Sequence, residues 1–207
     1  PEQKALDAAL ADGKSVMDGT STEDVTKVYA ALKAAIYNYR LSLASPEEPL
    51  ELTSNMLSPG FEDNSKGWVC NGFSPQSNDA FELKEGTYYC EIWSGWGNVA
   101  DGDIHQIVEL PNGNYQLTVL AQNIQESNKA IPQKGAYVYA NNARKELSLT
   151  GKYTLDFVVV DNQAKIGVNT IGCTGNKVSI DDFHIYYTGF DLSLIHISEP
   201  TRQEAIS

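Results

Sequence analysis

No run of apolar residues in this 207-residue chain is long enough to cross a bilayer, which argues against membrane insertion as a helix. Basic residues are scarce: 15 Lys and Arg stand against 27 Asp and Glu, for a formal charge of −12. No basic stripe offsets that balance, so nucleic acid, polyphosphate and anionic membrane surfaces are excluded as natural partners, while neutral ligands stay open. Cysteine is scarcer still. Cys70, Cys90 and Cys173 form no CxxC pair and no metal-ligand spacing, so no disulfide framework is predicted. One bridge stays open, and buried free thiols are the favoured reading. A Gly-rich phosphate loop, HExxH and GxSxG are also missing. The many carboxylates show no favoured pair of the kind that glycoside hydrolysis needs. His105 and His184 fall in strand-like segments with no Ser or Cys nucleophile motif beside them. The sequence predicts a chain that is not itself an enzyme.

What is present is β-strand grammar. In Gly102 to Asn123, two β-type runs flank Pro-Asn-Gly-Asn, and Tyr115, Leu117, Val119 and Ala121 alternate with polar or outward positions. This pattern predicts a β-hairpin turning at Pro111 to Asn114. Further strands are predicted near 68–73, 88–93, 136–140, 145–149, 153–160, 165–170 and 177–187, punctuated by Gly, Asn and Asp. Many short strands without intervening helices predict a mainly β fold, an antiparallel β-sandwich or jelly roll. In the last strand Val178 and Ile180 set one phase and Phe183, Ile185 and Tyr187 the other. The slip predicts a bulge at Asp181-Asp182.

Before the strands, residues 2 to 41 carry helical periodicity. Leu6, Leu10, Gly13 and Met17 form one stripe; Val25, Val28, Leu32, Ile36 and Tyr39 form another. Asp18-Gly19 supplies the turn, and Thr20 with Glu23 reads as a capping box. Such a hairpin buries too little to stand alone and is expected to pack on the sandwich or on a third helix outside this sequence. The domain reading is a helical spacer at 1–41, a linker or extended edge at 42–53 broken by Pro46 and Pro49, a sandwich at 54–190 and a non-native tail at 191–207.

Several motifs together carry a family resemblance. SPGFED followed by GW, then YYCEIW, DIHQIVELPNGNYQLTV, AYVYAN and VSIDDFHIYYTG occur in that order between about Leu52 and Phe190. This set resembles the galactose-binding-like β-sandwich modules of bacterial glycan-degrading proteins. The helical segment LDAALADGKSVMDGTSTEDVTKVYAALKAAI resembles FIVAR-type spacer repeats of secreted multidomain proteins. Residues Leu192 to Ser207 are similar to a translated sequencing adapter, and with Pro1 in place of an initiator Met the chain reads as a fragment of a longer gene. The resemblance implies a non-catalytic carbohydrate-binding module, extracellular, at the cell surface or periplasmic. Its partners would be a polysaccharide or glycan and neighbouring domains of the same chain, in a parent that can itself be a glycoside hydrolase. The alternatives are a structural or protein-docking spacer sandwich, and an accessory domain of a glycoside hydrolase.

Sugar rings present C–H faces to aromatic rings and hydroxyls to amides and carboxylates. The stretch Glu91 to Asp103 has that composition. It nominates Trp93, Trp96, Asn98, Asp101 and Asp103, with burial favoured for Trp93 and ligand contact for Trp96. Gln122 and Asn123 join them at the head of the long polar loop that runs to Lys134. Trp68 reads as core, whereas Tyr137 and Tyr139 share one strand face. Modules of this kind often hold one structural calcium ion. The resemblance places its carboxylates at Glu62 or Asp63 and at Asp181 or Asp182.

Overall fold

The computed structural model describes residues 1–190. Two helices, α1 (Glu2–Met17) and α2 (Val25–Leu43), precede eleven strands in two antiparallel sheets. The first sheet runs β3 (Ser74–Gln76), β4 (Tyr89–Trp93), β11 (Lys177–Gly189), β6 (Gly113–Ile124) and β9 (Gly151–Val159). The short β1 (Leu50–Glu51) adds to the far half of β11. The second sheet runs β2 (Val69–Asn71), β5 (Asp103–Glu109), β10 (Gln163–Asn169), β7 (Ala136–Ala140) and β8 (Ala143–Leu147). The fold class is the β-sandwich with an N-terminal helical hairpin that the periodicities predict.

Inward positions of both sheets make one core, including Ile104, Leu117, Val138, Ile166, Val178 and Ile180, all fully buried. At one end Phe61, Trp68 and Phe183 pack with ring centroids 5.0 to 6.2 Å apart. The Trp68 indole N–H donates to the Ser58 carbonyl at 3.0 Å, so the buried ring keeps its polar atom satisfied. The phase slip in β11 is a bulge: the pairing with β6 shifts between Asp181 and His184, and Asp182 has φ 51°. The extra residue lets Ile180 and Phe183 both face the core.

The predicted hairpin at Pro111 to Asn114 does not form. β5 pairs with β10 and β2, whereas β6 pairs with β11 and β9, so the two runs belong to opposite sheets. The Pro-Asn-Gly segment is a crossing between them. Tyr115 donates its hydroxyl to the Pro111 carbonyl at 2.6 Å. Gly113 has φ 146°, and a Cβ there would lie 2.5 Å from the Tyr187 ring. Period-two alternation fixes which face of a strand is buried, and it does so equally for either partner. Among the described residues, only β3–β4 and β7–β8 are consecutive strands of one sheet.

Two local expectations are also corrected, the helix cap and the strand bounds. The cap of α2 is Asp24, whose carboxylate accepts from the Thr26 N–H at 2.7 Å; Thr20 instead donates back to the Ser15 carbonyl. The strand expected near 145–149 begins at Ala143, and Ser74–Gln76 forms an additional edge strand despite Pro75. Packing of the helices on the sandwich runs through α2, where Tyr37, Leu41 and Ala44 rest against the core cluster; α1 buries no residue. Leu50 pairs with Tyr187 and Leu52 is buried, so the second half of the 42–53 segment is part of the sheet.

Candidate functional site

The outward positions of β4 are Tyr89, Glu91 and Trp93, because Cys90 and Ile92 face the core. Register then builds a polar row across four strands: Ser74 opposite Glu91, Glu91 opposite Ser179, and Ser179 opposite Gln122. The row is hydrogen-bonded. Gln122 donates to the Ser179 hydroxyl at 2.8 Å, and Ser179 donates to the Glu91 carboxylate at 2.7 Å. Residues 77–86 fold over its inner part: Phe81 packs on the Tyr89 ring, and the Tyr89 hydroxyl donates to Asn78 at 2.7 Å. The outer part stays open as a cleft of about 420 Å³ lined by Gly72, Ser74, Gln76, Asn78, Glu91, Trp93 and Lys177.

Trp93 sits at the mouth of that cleft and is 57 % exposed. Its ring is held. The indole N–H donates to Glu126 at 2.7 Å, Lys177 stands 6.0 Å from the ring centroid, and a side chain on Gly95 would crowd the ring edge at 3.3 Å. Lys177 is buried and ion-pairs with Glu126, whose carboxyl is held below its ordinary range first by that contact. Glu91 is also buried. Burial pushes its carboxyl up from the usual value, against the opposing pull of Ser179 and Lys177. The cleft therefore offers a fixed aromatic edge, a carboxylate, an ammonium and amide and hydroxyl groups on rigid strands. Those are the groups that engage the C–H face and hydroxyls of a polyol.

A larger open cleft of about 800 Å³ lies between β9, β10 and the β7–β8 turn, lined among others by Ile107, Asn142, Asp156, Val160 and Lys165. It has no exposed aromatic ring. The Trp93 cleft is smaller but carries the convergent chemistry.

No family model and no curated protein matches the sequence. Among solved structures, TmCBM61 in complex with β-1,4-galactotriose superposes with a TM-score of 0.51 at 19 % identity, covering 64 % of this chain and 97 % of that one. The two share the β-sandwich architecture. A cyclase from Fischerella sp. TAU superposes equally well, with a TM-score of 0.51 at 12 % identity over 69 % of this chain and 99 % of that one. At these identities the likeness is one of architecture, and the same sandwich evidently serves binding and chemistry alike.

On this module-like scaffold the nominated residues scatter. Trp93 and Trp96 are both exposed, the latter 95 %, so the burial favoured for Trp93 does not hold. The reason is that Trp93 shares the outward phase of Glu91 on an edge-proximal strand. Asn98 is exposed and accepts from Gln125 at 3.2 Å, which joins the loop after β4 to the loop after β6. Asp101 accepts from the Gly172 N–H at 3.0 Å. Asp103 lies on the other sheet, where it accepts from the Tyr139 hydroxyl at 2.7 Å and contacts His105 at 2.6 Å. It takes no part in the Trp93 cleft. Gln122 and Asn123 are buried rather than loop residues, since β6 continues to Ile124. Asn123 donates to the Leu147 carbonyl at 2.8 Å and is wholly enclosed, out of reach of a ligand.

Of the four carboxylates assigned to calcium, the fold brings two together. Asp181 is fully buried, with Glu62 and Asp182 as the neighbouring charges and no Lys, Arg or His within ion-pair distance among the described residues. Its carboxylate accepts from the N–H groups of Glu85 and Asp182, while Glu62 accepts from Thr87 and Tyr88. Asp182 turns to His184 at 3.0 Å, and Asp63 is exposed. Burial raises the Asp181 carboxyl to about 7, and a divalent ion bound there would take the place of that proton. Among the described residues no three His, Cys, Asp or Glu converge, so Glu62 and Asp181 would supply the charge and carbonyls or water the rest.

Glu91, Gln76, Asn78 and Lys177 were not nominated from the sequence. The spacing of Glu91 and Trp93 already places them on one face of a strand, and that signal was sufficient for the pair. Gln76 and Lys177 arrive through strand pairings, and Asn78 through the segment that follows β3, none of which a local pattern specifies.

Proposed function

We propose that this chain is a non-catalytic carbohydrate-binding module whose ligand contacts Trp93 and the polar cleft beside it. The observation that carries the reading is the exposed, immobilised Trp93 ring at the mouth of a cleft furnished with Gln76, Asn78, Glu91 and Lys177. The ring stacks on a sugar face, and the carboxylate, amides and ammonium take its hydroxyls. Such contacts are weak singly. Their use is to hold tethered domains near a polysaccharide and raise the local substrate concentration.

The solved module with a bound β-1,4-galactotriose supports a neutral glycan as the ligand class. The helical hairpin acts as the spacer to a neighbouring domain of a secreted or surface glycan-processing protein. No described helix is long and apolar enough to cross a membrane. Calcium, held by Glu62 and Asp181, would neutralise the charge buried behind the β11 bulge.

A glycan-array screen of the chain, run beside Trp93→Ala and Trp96→Ala, tests the reading. Binding that Trp93→Ala removes with the fold intact supports it. Binding that survives in both variants, or no binding to any glycan, overturns it and leaves the spacer or docking module.

A further inference from the structure

Cys70 and Cys90 are twenty positions apart in sequence and belong to different sheets, yet the strand registers turn both toward the space between those sheets. Cys70 pairs with Ile104 on β5 and Cys90 with Ile180 on β11, and paired residues share a face. Both partners are fully buried, so both cysteine side chains point into the space between the sheets. The sheets are close at this edge: a Cβ on Gly72, just past β2, would stand 2.9 Å from the Ile92 side chain of β4. Each cysteine stands two residues before one side of that close approach, Cys70 before Gly72 and Cys90 before Ile92. They differ in access, for Cys70 is exposed and Cys90 buried, which also corrects the expectation of three buried thiols.

We propose that Cys70 and Cys90 form a disulfide bridge between the two sheets when the chain meets a disulfide oxidant. The exposed Cys70 thiolate attacks one sulfur of a small disulfide such as oxidised glutathione, forming a mixed disulfide and releasing one glutathione thiolate. Cys90 then loses its proton, attacks the Cys70 sulfur and expels the second glutathione. The two protein thiols have lost two electrons and two protons, and the oxidant has become two glutathione thiols. Burial holds the Cys90 thiol above its ordinary range, so ring closure is the slow step and Cys70 the entry point. Cys173 is excluded from the exchange: it is buried against Asn123, with its thiol 3.3 Å from the side-chain oxygen.

The bridge has a local consequence. It ties β2, which leads into Gly72 and Ser74, to β4, which carries Glu91 and Trp93. Both walls of the cleft would then hang from one covalent link, whether or not a glycan binds there.

The test is a peptide map of the whole chain after incubation with oxidised glutathione, with melting temperatures of the oxidised and reduced forms. The expected result is loss of two hydrogens, a single cross-linked peptide pair containing Cys70 and Cys90, and a free Cys173. Closing a loop of this length should raise the melting temperature by roughly 5–10 °C. Cys70→Ser changes an exposed position and should melt like the reduced parent, without any oxidation-dependent shift. A persistent glutathione adduct on Cys70, a link to Cys173, or three free thiols overturns the proposal. So does a cross-linked form that melts no higher than the reduced one.

Discussion

The indole N–H of Trp93 points at the Glu126 carboxylate 2.7 Å away, and that one bond ties the end of β4 to the loop after β6. Without it the exposed ring would be free to rotate. With it the ring keeps one orientation beside the cleft, so less entropy is lost when a flat ligand stacks on it.

Replacing Trp93 by Ala should weaken glycan affinity tenfold or more, equivalent to about 1.4 kcal/mol. Trp93→Phe keeps a stacking face but loses the bond to Glu126, and an intermediate loss is expected. Glu126→Gln should cost about two- to threefold, through orientation alone. Isothermal titration against the best array ligand separates the three. Equal affinities across the series would remove Trp93 from the site.

Glu91 imposes a pH dependence with a definite sign. Its folded-state carboxyl lies above the ordinary 4.5 because it is buried, so the folded chain holds a proton that the unfolded chain has released. Stability attributable to this group is greatest below about 4.5 and falls as the pH rises through the raised folded value. Lys177 and Ser179 face it and narrow the window. Thermal melts across acidic to neutral pH should show a steeper decline for the parent than for Glu91→Gln. Parallel curves would mean that Glu91 titrates normally.

Calcium should raise the melting temperature by several degrees, since an ion at about a hundred times its dissociation constant contributes about 2.7 kcal/mol. Asp181→Asn keeps the shape and removes the charge, and it should abolish the calcium response. A response that survives Asp181→Asn would place the ion elsewhere.

Phe183 joins Phe61 and Trp68 at ring distances of 6.2 and 5.0 Å and is fully buried. Phe183→Ala should cost about 3–5 kcal/mol in chemical denaturation, by lost burial and the cavity left behind. A cost below about 1 kcal/mol would show that the bulged end of β11 repacks freely.

How much of this could be read from the residues follows from how local each signal is. Strand faces were legible because alternation is a property of one segment: Tyr115, Leu117, Val119 and Ala121 are all buried as the pattern demands. The bulge was legible for the same reason. Pairing was not, because the Pro111 to Asn114 turn signal is identical whether the next strand returns beside β5 or crosses to the other sheet. Gln122 and Asn123 misled because their polarity marks a solvated loop unless partners such as Ser179 and Leu147 arrive from distant strands. Trp93 and Glu91 shared a legible phase, whereas Gln76 and Lys177 reach the cleft only through tertiary pairing. The helix cap went to Asp24 because α2 begins one turn later than the Thr20–Glu23 pattern implied, and the Asp24 carboxylate is the group in reach of the Thr26 N–H.

Among the described residues, only two of the connections between successive strands stay within a sheet, and the remainder cross. Neither sheet can therefore be completed from one contiguous piece of chain. Most contacts wait for segments far apart in sequence to meet, which makes folding slow and puts loop closure on the rate-limiting path. The same wiring makes unfolding cooperative: β11 sits at the centre of one sheet, and without it the β3–β4 and β6–β9 pairs lose their common partner, so that sheet parts into two ribbons that no longer cover the core.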